Sequence, residues 1–327
     1  MVGNTSCEKV SPQGVLMAGT AVEDRVEMSY SYYNKYLSEY KMNVDNALAT
    51  QDSYSFLVGG DSHLTTDPGR MDEMFAIGLE NNDLFYAHLG DIADTKADYY
   101  IRLDSLIREA KMRYVNKYYT QKDNSKWVLK GETENPVSWD YDEIRFPFFP
   151  VVGNHDLTHN GWALWCNIFG SSFYEFDVQV ANIGDNAIYD HFIFLDTASG
   201  TLGKKQIDLI ESGMLDGWTR YRYTFVFSHT NIFRPSSMQF ASTFAREETF
   251  FLLDQFTEWF ATAVFCGHVH AWDNREYNGV TYLTLDSMSE RNSPDPGDYL
   301  VRVTVDKEGR WSWEKVHMNY TTKKKAS

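Results

Sequence analysis

The chain has 327 residues, of which 43% are hydrophobic and 16% aromatic, and its formal net charge is −16 at pH 7. This composition excludes a disordered chain and provides enough apolar material for one large domain or two small ones. The acidic balance argues against nucleic-acid binding through a broad basic face, although bound cations would still allow an anionic substrate.

The three cysteines, Cys7, Cys166 and Cys266, show neither zinc-site spacing nor the even number of a disulfide framework. We expect free thiols, with Cys166 and Cys266 in or near the core. No apolar run approaches the roughly 18 residues of a transmembrane segment, and residues 14–21 are too short and lack the basic flank of a signal peptide. We expect a soluble protein, either cytoplasmic or exported after a signal peptide has been trimmed.

Predicted helices and strands alternate in the first part of the chain. Tyrosines at helical spacing predict a helix over residues 23–48 that packs on the body. A strand at residues 54–59 precedes a helix that begins near Asp67-Pro68, and a second strand covers residues 84–89. The next helix has an apolar face formed by Leu103, Leu106, Ile107, Ala110 and Tyr114.

Residues 120–145 are polar and irregular, and we interpret them as a surface excursion that could reach the mouth of a site. The later predicted elements are a hairpin at 172–197, helices at 204–215 and 246–260, and strands at 223–227, 263–266, 279–284, 298–305 and 311–316. In the helix over 246–260, the residues expected to face the core are Phe250, Leu253, Phe256 and Phe260.

Early alternation of strands and helices, with hairpins late, predicts an α/β (α+β) fold of stacked sheets flanked by helices. No linker or compositional break divides the chain. We expect residues 1–50 to form an amino-terminal extension with a helix on the body, and residues 51–327 to form a single domain.

Five predicted strands end in polar motifs that supply Asp, Asn or His. The motifs are Gly-Asp-Ser-His at 60–63, Gly-Asp-Ile-Ala-Asp at 90–94, Gly-Asn-His-Asp at 153–156, Ser-His-Thr at 228–230 and Gly-His-Val-His at 267–270. One Asp-x-His pair is weak, but core packing does not produce five such motifs in order. Because sites form at the carboxyl edge of open α/β sheets, we predict that the motifs converge on a metal site.

The seven candidate ligands are too many for one four-coordinate zinc ion and suit two ions of the Mn, Fe or Zn type. They are Asp61, His63, Asp91, Asn154, His229, His268 and His270. One carboxylate would most simply bridge the two ions, and Asp91 is the natural candidate. Two ions about 3.5–4 Å apart can clamp the attacking and leaving oxygens of a phosphoryl transfer.

With these motifs the chain resembles the calcineurin-like metallophosphoesterases over residues 52–305. The resemblance implies a four-layer αββα sandwich of two mixed sheets flanked by helices. It also implies that Asp61, His63, Asp91 and His270 hold one metal, and that Asp91, Asn154, His229 and His268 hold the other. The Asp-x-His start is similar to the phosphodiesterase-like branch. Asp94 stands where purple acid phosphatases usually have a tyrosine, so we do not expect a tyrosinate-bound iron.

The implied reaction is hydrolysis of a phosphate mono- or diester by a metal-bridging hydroxide. By the same resemblance His155 is the general acid for the leaving oxygen. We expect Asp156 to pair with the His155 ring and hold it protonated.

Further candidates for substrate contact are Asn154, His159 and Arg234. The alternative explanations are a turn role for His159 and a merely exposed side chain for Arg234. Two alternatives stay open: a metal-binding protein without catalysis, and a nuclease on the same scaffold, which the net charge of −16 makes unattractive. The expected partner is a small-molecule phosphate ester. The substrate, the native metal pair and the oligomeric state do not follow from the sequence.

Overall fold

The structure is a computed structural model that describes residues 21–29, 53–65, 69–93, 96–123, 125–133, 135–183, 186–212, 221–233, 244–289 and 299–319. Most of the predicted helix at 23–48 lies outside these residues, although its beginning, residues 22–29, is helical and is named α1. The helix start at Asp67-Pro68 also lies outside them.

The remaining elements follow in chain order. The other helices are α2 at Gly69–Asn81, α3 at Ala97–Tyr118, α4 at Gly161–Phe169, α5 at Gly203–Glu211 and α6 at Arg246–Glu258. The strands are β1 at Tyr54–Gly59, β2 at Tyr86–His88, β3 at Tyr119–Gln121, β4 at Lys126–Leu129, β5 at Ser138–Asp140, β6 at Phe148–Pro150, β7 at Tyr174–Ile183, β8 at Asn186–Phe194, β9 at Tyr221–Ser228, β10 at Ala263–Cys266, β11 at Asp273–Tyr277, β12 at Val280–Thr284, β13 at Tyr299–Val305 and β14 at Trp311–His317.

Two mixed sheets form the centre of the molecule. The first has the order β14-β13-β1-β2-β6, and the second has the order β11-β12-β10-β9-β8-β7. In the first sheet β1, β2 and β6 are parallel, β13 pairs antiparallel with β1, and β14 pairs antiparallel with β13 at the edge. In the second sheet β8, β9, β10 and β12 are parallel, and the edge strands β7 and β11 are antiparallel.

Side chains that alternate along the strands build three apolar layers. In β1, Tyr54, Phe56 and Val58 face the second sheet, while Leu57 faces the helices outside the first sheet. Rings dominate the layer between the sheets; Phe56 stacks on Phe85 with centroids 4.6 Å apart. Each such buried ring stabilises the fold by about 1.5–3 kcal/mol relative to exposure.

Helices cover the outer face of each sheet. The cluster outside the first sheet contains buried residues of α2, α3 and α4, and the cluster outside the second contains residues of α1, α5 and α6. The order of layers is helix, sheet, sheet, helix, which confirms the predicted mixed α/β sandwich. Among the helices that the structure describes, none has both the length and the apolar character needed to cross a membrane.

The segment at 120–145 differs from its prediction. It contains a three-stranded antiparallel sheet, β3-β4-β5, instead of irregular backbone. This sheet follows the carboxyl end of α3, where the Lys117 ammonium contacts the Leu79 carbonyl and the Tyr118 hydroxyl lies 3.3 Å from Asn82 Oδ1. Asn82 precedes β2, so the small sheet lies at the amino ends of the strands, opposite the edge where the motifs converge. The interpretation that this segment could reach the mouth of the site was therefore wrong.

Helix α6 buries a different face from the one predicted. Phe256 and Leu253 are buried as expected, but Phe250 is 63% exposed and Phe260 is 71% exposed. At 3.6 residues per turn, Phe250 lies roughly 110° from the centre of the buried arc, and the helix ends before Phe260. Leu252 takes the inward position instead.

Candidate metal centre

Loops after β1, β2, β6, β9 and β10 bring all seven predicted ligands to one end of the sandwich. Two groups of side chains could each hold a metal ion, and within each group the candidate ligand atoms lie within 4.8 Å of one another. The first group is Asp61, His63, Asp91 and His270, and the second is Asp91, His229 and His268. Asp91 is the residue common to both groups.

The distances between atoms fit ligands that share an ion. His63 Nε2 and His270 Nε2 are 3.3 Å apart, and His229 Nε2 and His268 Nδ1 are 3.2 Å apart. Two ligands about 2.1 Å from one ion at a tetrahedral angle lie about 3.4 Å apart. The two oxygens of Asp91 face different groups: Oδ2 is 3.9 Å from His63 Nε2, and Oδ1 is 3.5 Å from His229 Nε2.

Asn154 adds an amide oxygen to the second group. Its Oδ1 lies 2.9 Å from His229 Nε2. The other nitrogen of that ring, Nδ1, lies 2.7 Å from the Leu89 carbonyl, which can only accept a hydrogen bond. Nδ1 therefore donates its proton to this carbonyl, and Nε2 is the ring nitrogen that faces the cluster, as in many metal-binding histidines.

The backbone at five of the seven predicted ligands is left-handed. The φ angles are +52° at Asp61, +43° at His63, +52° at Asp91, +73° at His268 and +49° at His270. Such conformations cost about 1–3 kcal/mol each in non-glycine residues and cluster at functional sites. The sharp turns aim the side chains of successive loops into one space.

Glycine at the first position of two motifs permits close approach of the loops. Gly90 has φ +89°, and a Cβ there would lie 2.7 Å from His229 Nδ1. A Cβ on Gly153 would overlap the backbone and carboxylate of Asp91. The glycines in these motifs thus serve packing between ligand loops as well as turn geometry.

Ionisation in the cluster favours metal ligation. Burial alone would raise the pKa of Asp61, but the hydrogen bond and charge of His270 outweigh it and hold that pKa below its ordinary value. Burial, and then the neighbouring His229, lower the pKa of His268 to about 4. At neutral pH the carboxylate is therefore charged and this imidazole is neutral, the states that metal binding requires.

Asp156 does not occupy the place expected from the sequence. Its fully buried carboxylate accepts hydrogen bonds from the backbone N–H groups of Gly153 at 2.9 Å and Ile92 at 3.1 Å, and from the Tyr100 hydroxyl at 3.1 Å. These contacts tie the Asn154 loop to the Asp91 loop. Burial, and then the charge of Asp91, raise the pKa of Asp156 to about 7. The contacts assign Asp156 a role in holding two ligand loops together, rather than a pairing with the His155 ring.

The remaining candidates differ in position. His155 is exposed, its ring meets the His63 ring edge-on with centroids 4.8 Å apart, and its backbone N–H donates to Asp91 Oδ1 at 2.7 Å. His159 is exposed in the short 3-10 segment His155–Asn160 and has φ +51°. Arg234 and Asp94 lie outside the described residues.

Two supporting residues were not found from the sequence. The Ser287 hydroxyl donates to the Asp61 carbonyl at 2.7 Å, and the Thr197 hydroxyl accepts from the His229 N–H at 2.9 Å. Both follow parallel strands, β12 and β8, at the same edge of the sandwich. Their place just after these strands is the signal from which they could have been predicted, but neither residue belongs to one of the five motifs.

The chain is similar to solved structures in its fold. No family profile and no curated protein matches the chain. The dimetal phosphatase from Danio rerio is 11% identical, with 77% of this chain and 95% of that one covered and a TM-score of 0.49. GAP50, the anchor in the inner membrane complex of Plasmodium, is 15% identical, with 82% and 90% covered and a TM-score of 0.48. A purple acid phosphatase from yellow lupin, Lupinus luteus, is 12% identical, with 80% and 51% covered and a TM-score of 0.47.

Proposed function

We propose that the chain is a metal-dependent phosphoesterase that hydrolyses small-molecule phosphate mono- or diesters at a dinuclear centre. The observation that supports this most is Asp91, whose two carboxylate oxygens face two separate groups of ligands. A shared carboxylate between two histidine-rich groups is the arrangement that a two-ion clamp for phosphoryl transfer needs.

The proposed cofactors are two ions of the Mn, Fe or Zn type, because imidazole, carboxylate and amide oxygen donors suit these metals. Asp61, His63, Asp91 and His270 would hold one ion, and Asp91, Asn154, His229 and His268 would hold the other. When bound, the ions would supply Lewis-acid activation of water and neutralise charge on the phosphoryl oxygens.

His155 is the proposed general acid. This exposed residue lies with its ring against the buried His63, and the hydrogen bond from its backbone N–H to Asp91 fixes its backbone next to the cluster. From this position it can donate a proton to the leaving oxygen of an ester bound at the centre. Asn154, His159 and Arg234 are proposed contacts for the substrate, and residues 51–327 are proposed to form one domain.

The test is a panel of phosphate monoesters and diesters assayed with Mn, Fe or Zn, with Asp91→Ala beside the unaltered chain. We expect hydrolysis by the metal-loaded protein and loss to background in the variant, because the variant removes the ligand common to both groups. Asp104→Ala is the matched control, since Asp104 forms only an exposed ion pair with Arg108 on α3. Equal activity of Asp91→Ala and Asp104→Ala would refute the assignment.

A further inference from the structure

A buried ion pair joins α1 to the loop that follows β8. The Arg25 guanidinium donates through Nε and Nη2 to the two oxygens of Asp196, both at 2.8 Å, and neither side chain is exposed. The Ser172 hydroxyl donates to the same carboxylate at 2.6 Å. The Gln206 side chain bonds the backbone N–H and carbonyl of Asp196 at 3.0 Å and 2.8 Å. Asp196 is therefore fixed on its side chain and on its backbone.

The next residue, Thr197, holds the backbone of a candidate ligand. Its Oγ1 accepts from the N–H groups of His229 at 2.9 Å and Thr230 at 3.0 Å. The same hydroxyl lies 3.1 Å from Ser228 Oγ, and Ser228 Oγ donates to the Thr230 carbonyl at 2.8 Å. With both lone pairs occupied by N–H groups, the Thr197 hydroxyl donates its single proton to Ser228.

Further hydrogen bonds join the Thr197 loop to the loop after β9, and join α1 to the start of α5 and to Ser172. The Thr230 hydroxyl returns a hydrogen bond to the Thr197 carbonyl at 2.6 Å. The Glu23 carboxylate accepts from the Lys204 N–H, at the start of α5, at 3.1 Å. The Ser29 hydroxyl accepts from the Ser172 N–H at 2.8 Å. The connection between β8 and α5 is thus held by α1 on one side and holds the loop after β9 on the other.

We propose that Thr197 and Arg25 are positioning residues for His229, so that α1, which precedes the ligand motifs, is part of the support of the metal centre. Thr197 fixes the His229 backbone directly, and the Leu89 carbonyl fixes the ring. Arg25 acts through Asp196, the residue adjacent to Thr197. The inference rests on the proposed function where it concerns metal affinity. The support of the His229 loop can be measured without metal.

The experiment compares Thr197→Val, Thr197→Ser and Arg25→Met with Arg302→Met. Arg302 forms a similar pair with Asp83, with Nη2 to Oδ2 at 3.0 Å, but Asp83 lies at the amino end of β2, away from the ligands. Amide hydrogen exchange is followed in metal-free protein over residues 228–231 and corrected for the free energy of unfolding of each variant. Mn²⁺ and Zn²⁺ are then titrated by calorimetry.

We expect faster exchange over residues 228–231 in Thr197→Val and Arg25→Met, and exchange like that of the unaltered chain in Thr197→Ser and Arg302→Met. Metal affinity at one of two sites should fall by about 10- to 100-fold in the first two variants, as when supporting partners of ligands are removed. Unchanged exchange in Thr197→Val, or equal effects of Arg25→Met and Arg302→Met, would overturn the inference. An unaltered chain that binds neither metal would refute the proposed centre, while the exchange data would still decide whether Thr197 and Arg25 support the His229 loop.

Discussion

His155 is an exposed residue beside the candidate ligands, four of which are buried. We expect His155→Ala to keep its bound metal but to lose about 10²- to 10⁴-fold in kcat on an alkyl phosphate ester, whose leaving oxygen needs a proton. Hydrolysis of a p-nitrophenyl ester should change little, because p-nitrophenolate leaves without protonation. Steady-state kinetics on both esters measure this. His317→Ala, an exposed histidine on β14, is the control, and equal losses on both esters would contradict the role.

His191 is a buried histidine outside the centre, with its ring nitrogens 2.6 Å from Asp177 Oδ1 and 3.0 Å from Glu175 Oε2. Burial alone would lower its pKa, but these carboxylates raise it above the ordinary 6.5. A raised pKa contributes stability that is complete below the unfolded-state pKa and is lost as pH rises through the folded-state pKa. His191→Gln should therefore cost more free energy of unfolding at pH 6 than at pH 9, measured by urea denaturation. The same cost at both pH values would show that the ring is not charged in the folded protein.

The candidate ligands could be named from the sequence because six of the seven directly follow a glycine or serine just after a predicted strand, while His270 follows Val269 and belongs to the motif of His268. The topology of the sheets then brings the motifs together. Asp91 was predicted as the shared carboxylate on chemical grounds, and the structure places its oxygens between both groups. Asp156 could not be predicted in the same way. Its partners are backbone N–H groups of Gly153 and Ile92 and the Tyr100 hydroxyl, and no sequence pattern records which backbone groups meet in space.

Helix α2 lies against the first sheet through a residue without a side chain. A Cβ on Gly78 would overlap the ring of the buried Tyr86. We expect Gly78→Ala to lower the free energy of unfolding by about 1–3 kcal/mol, because overpacking outweighs a helix-propensity gain of about 1 kcal/mol. Urea denaturation measures the change. Ala76→Ser, at an exposed position of the same helix, should stay within about 0.5 kcal/mol, and equal stability of Gly78→Ala and the unaltered chain would contradict the packing argument.

Elements with a strong apolar period were the predictable ones. The long face of α3 and the hairpin of β7 and β8 were predicted from periodicity and a turn. The face of α6 was not, because Phe250 and Leu252 are both apolar and periodicity alone does not choose between them. The small sheet β3-β4-β5 was missed because its strands have three or four residues and few buried side chains, too short for a period to show.

At the scale of the whole molecule, we expect bound metal to raise the free energy of unfolding. Two buried carboxylates, Asp61 and Asp91, lie in one cluster, and the charged groups that lower the pKa of Asp61 are the histidines His270, His229 and His63. At free metal about 100 times Kd, each bound ion should add about 2.7 kcal/mol to the free energy of unfolding. A thermal melt with and without a chelator measures this. A chelator that leaves the melting temperature unchanged would contradict metal binding, and Asp91→Ala should show no response to metal.

The arrangement of layers followed from the order of strands and helices, since alternation early in the chain builds parallel strands under helices. A helix packed on the body was expected near the start of the chain, but the contacts through which α1 joins the body could not be predicted. Arg25 belongs to no motif, and its ion pair with Asp196 joins residues that are 171 positions apart in the sequence. Such a contact depends on the completed fold and leaves no local pattern.

At five candidate ligands the left-handed backbone is unfavourable for folding but places a side chain that the proposed chemistry requires. At Asp61, His63, Asp91, His268 and His270 a glycine, or in part an asparagine, would relieve the strain that the native residue maintains. A random library of this chain sorted only for thermal resistance should therefore become enriched in glycine and asparagine at these five positions, while a library sorted for catalysis should retain aspartate and histidine. The strained turns would thus mark the centre in a mutational scan even when the substrate is unknown.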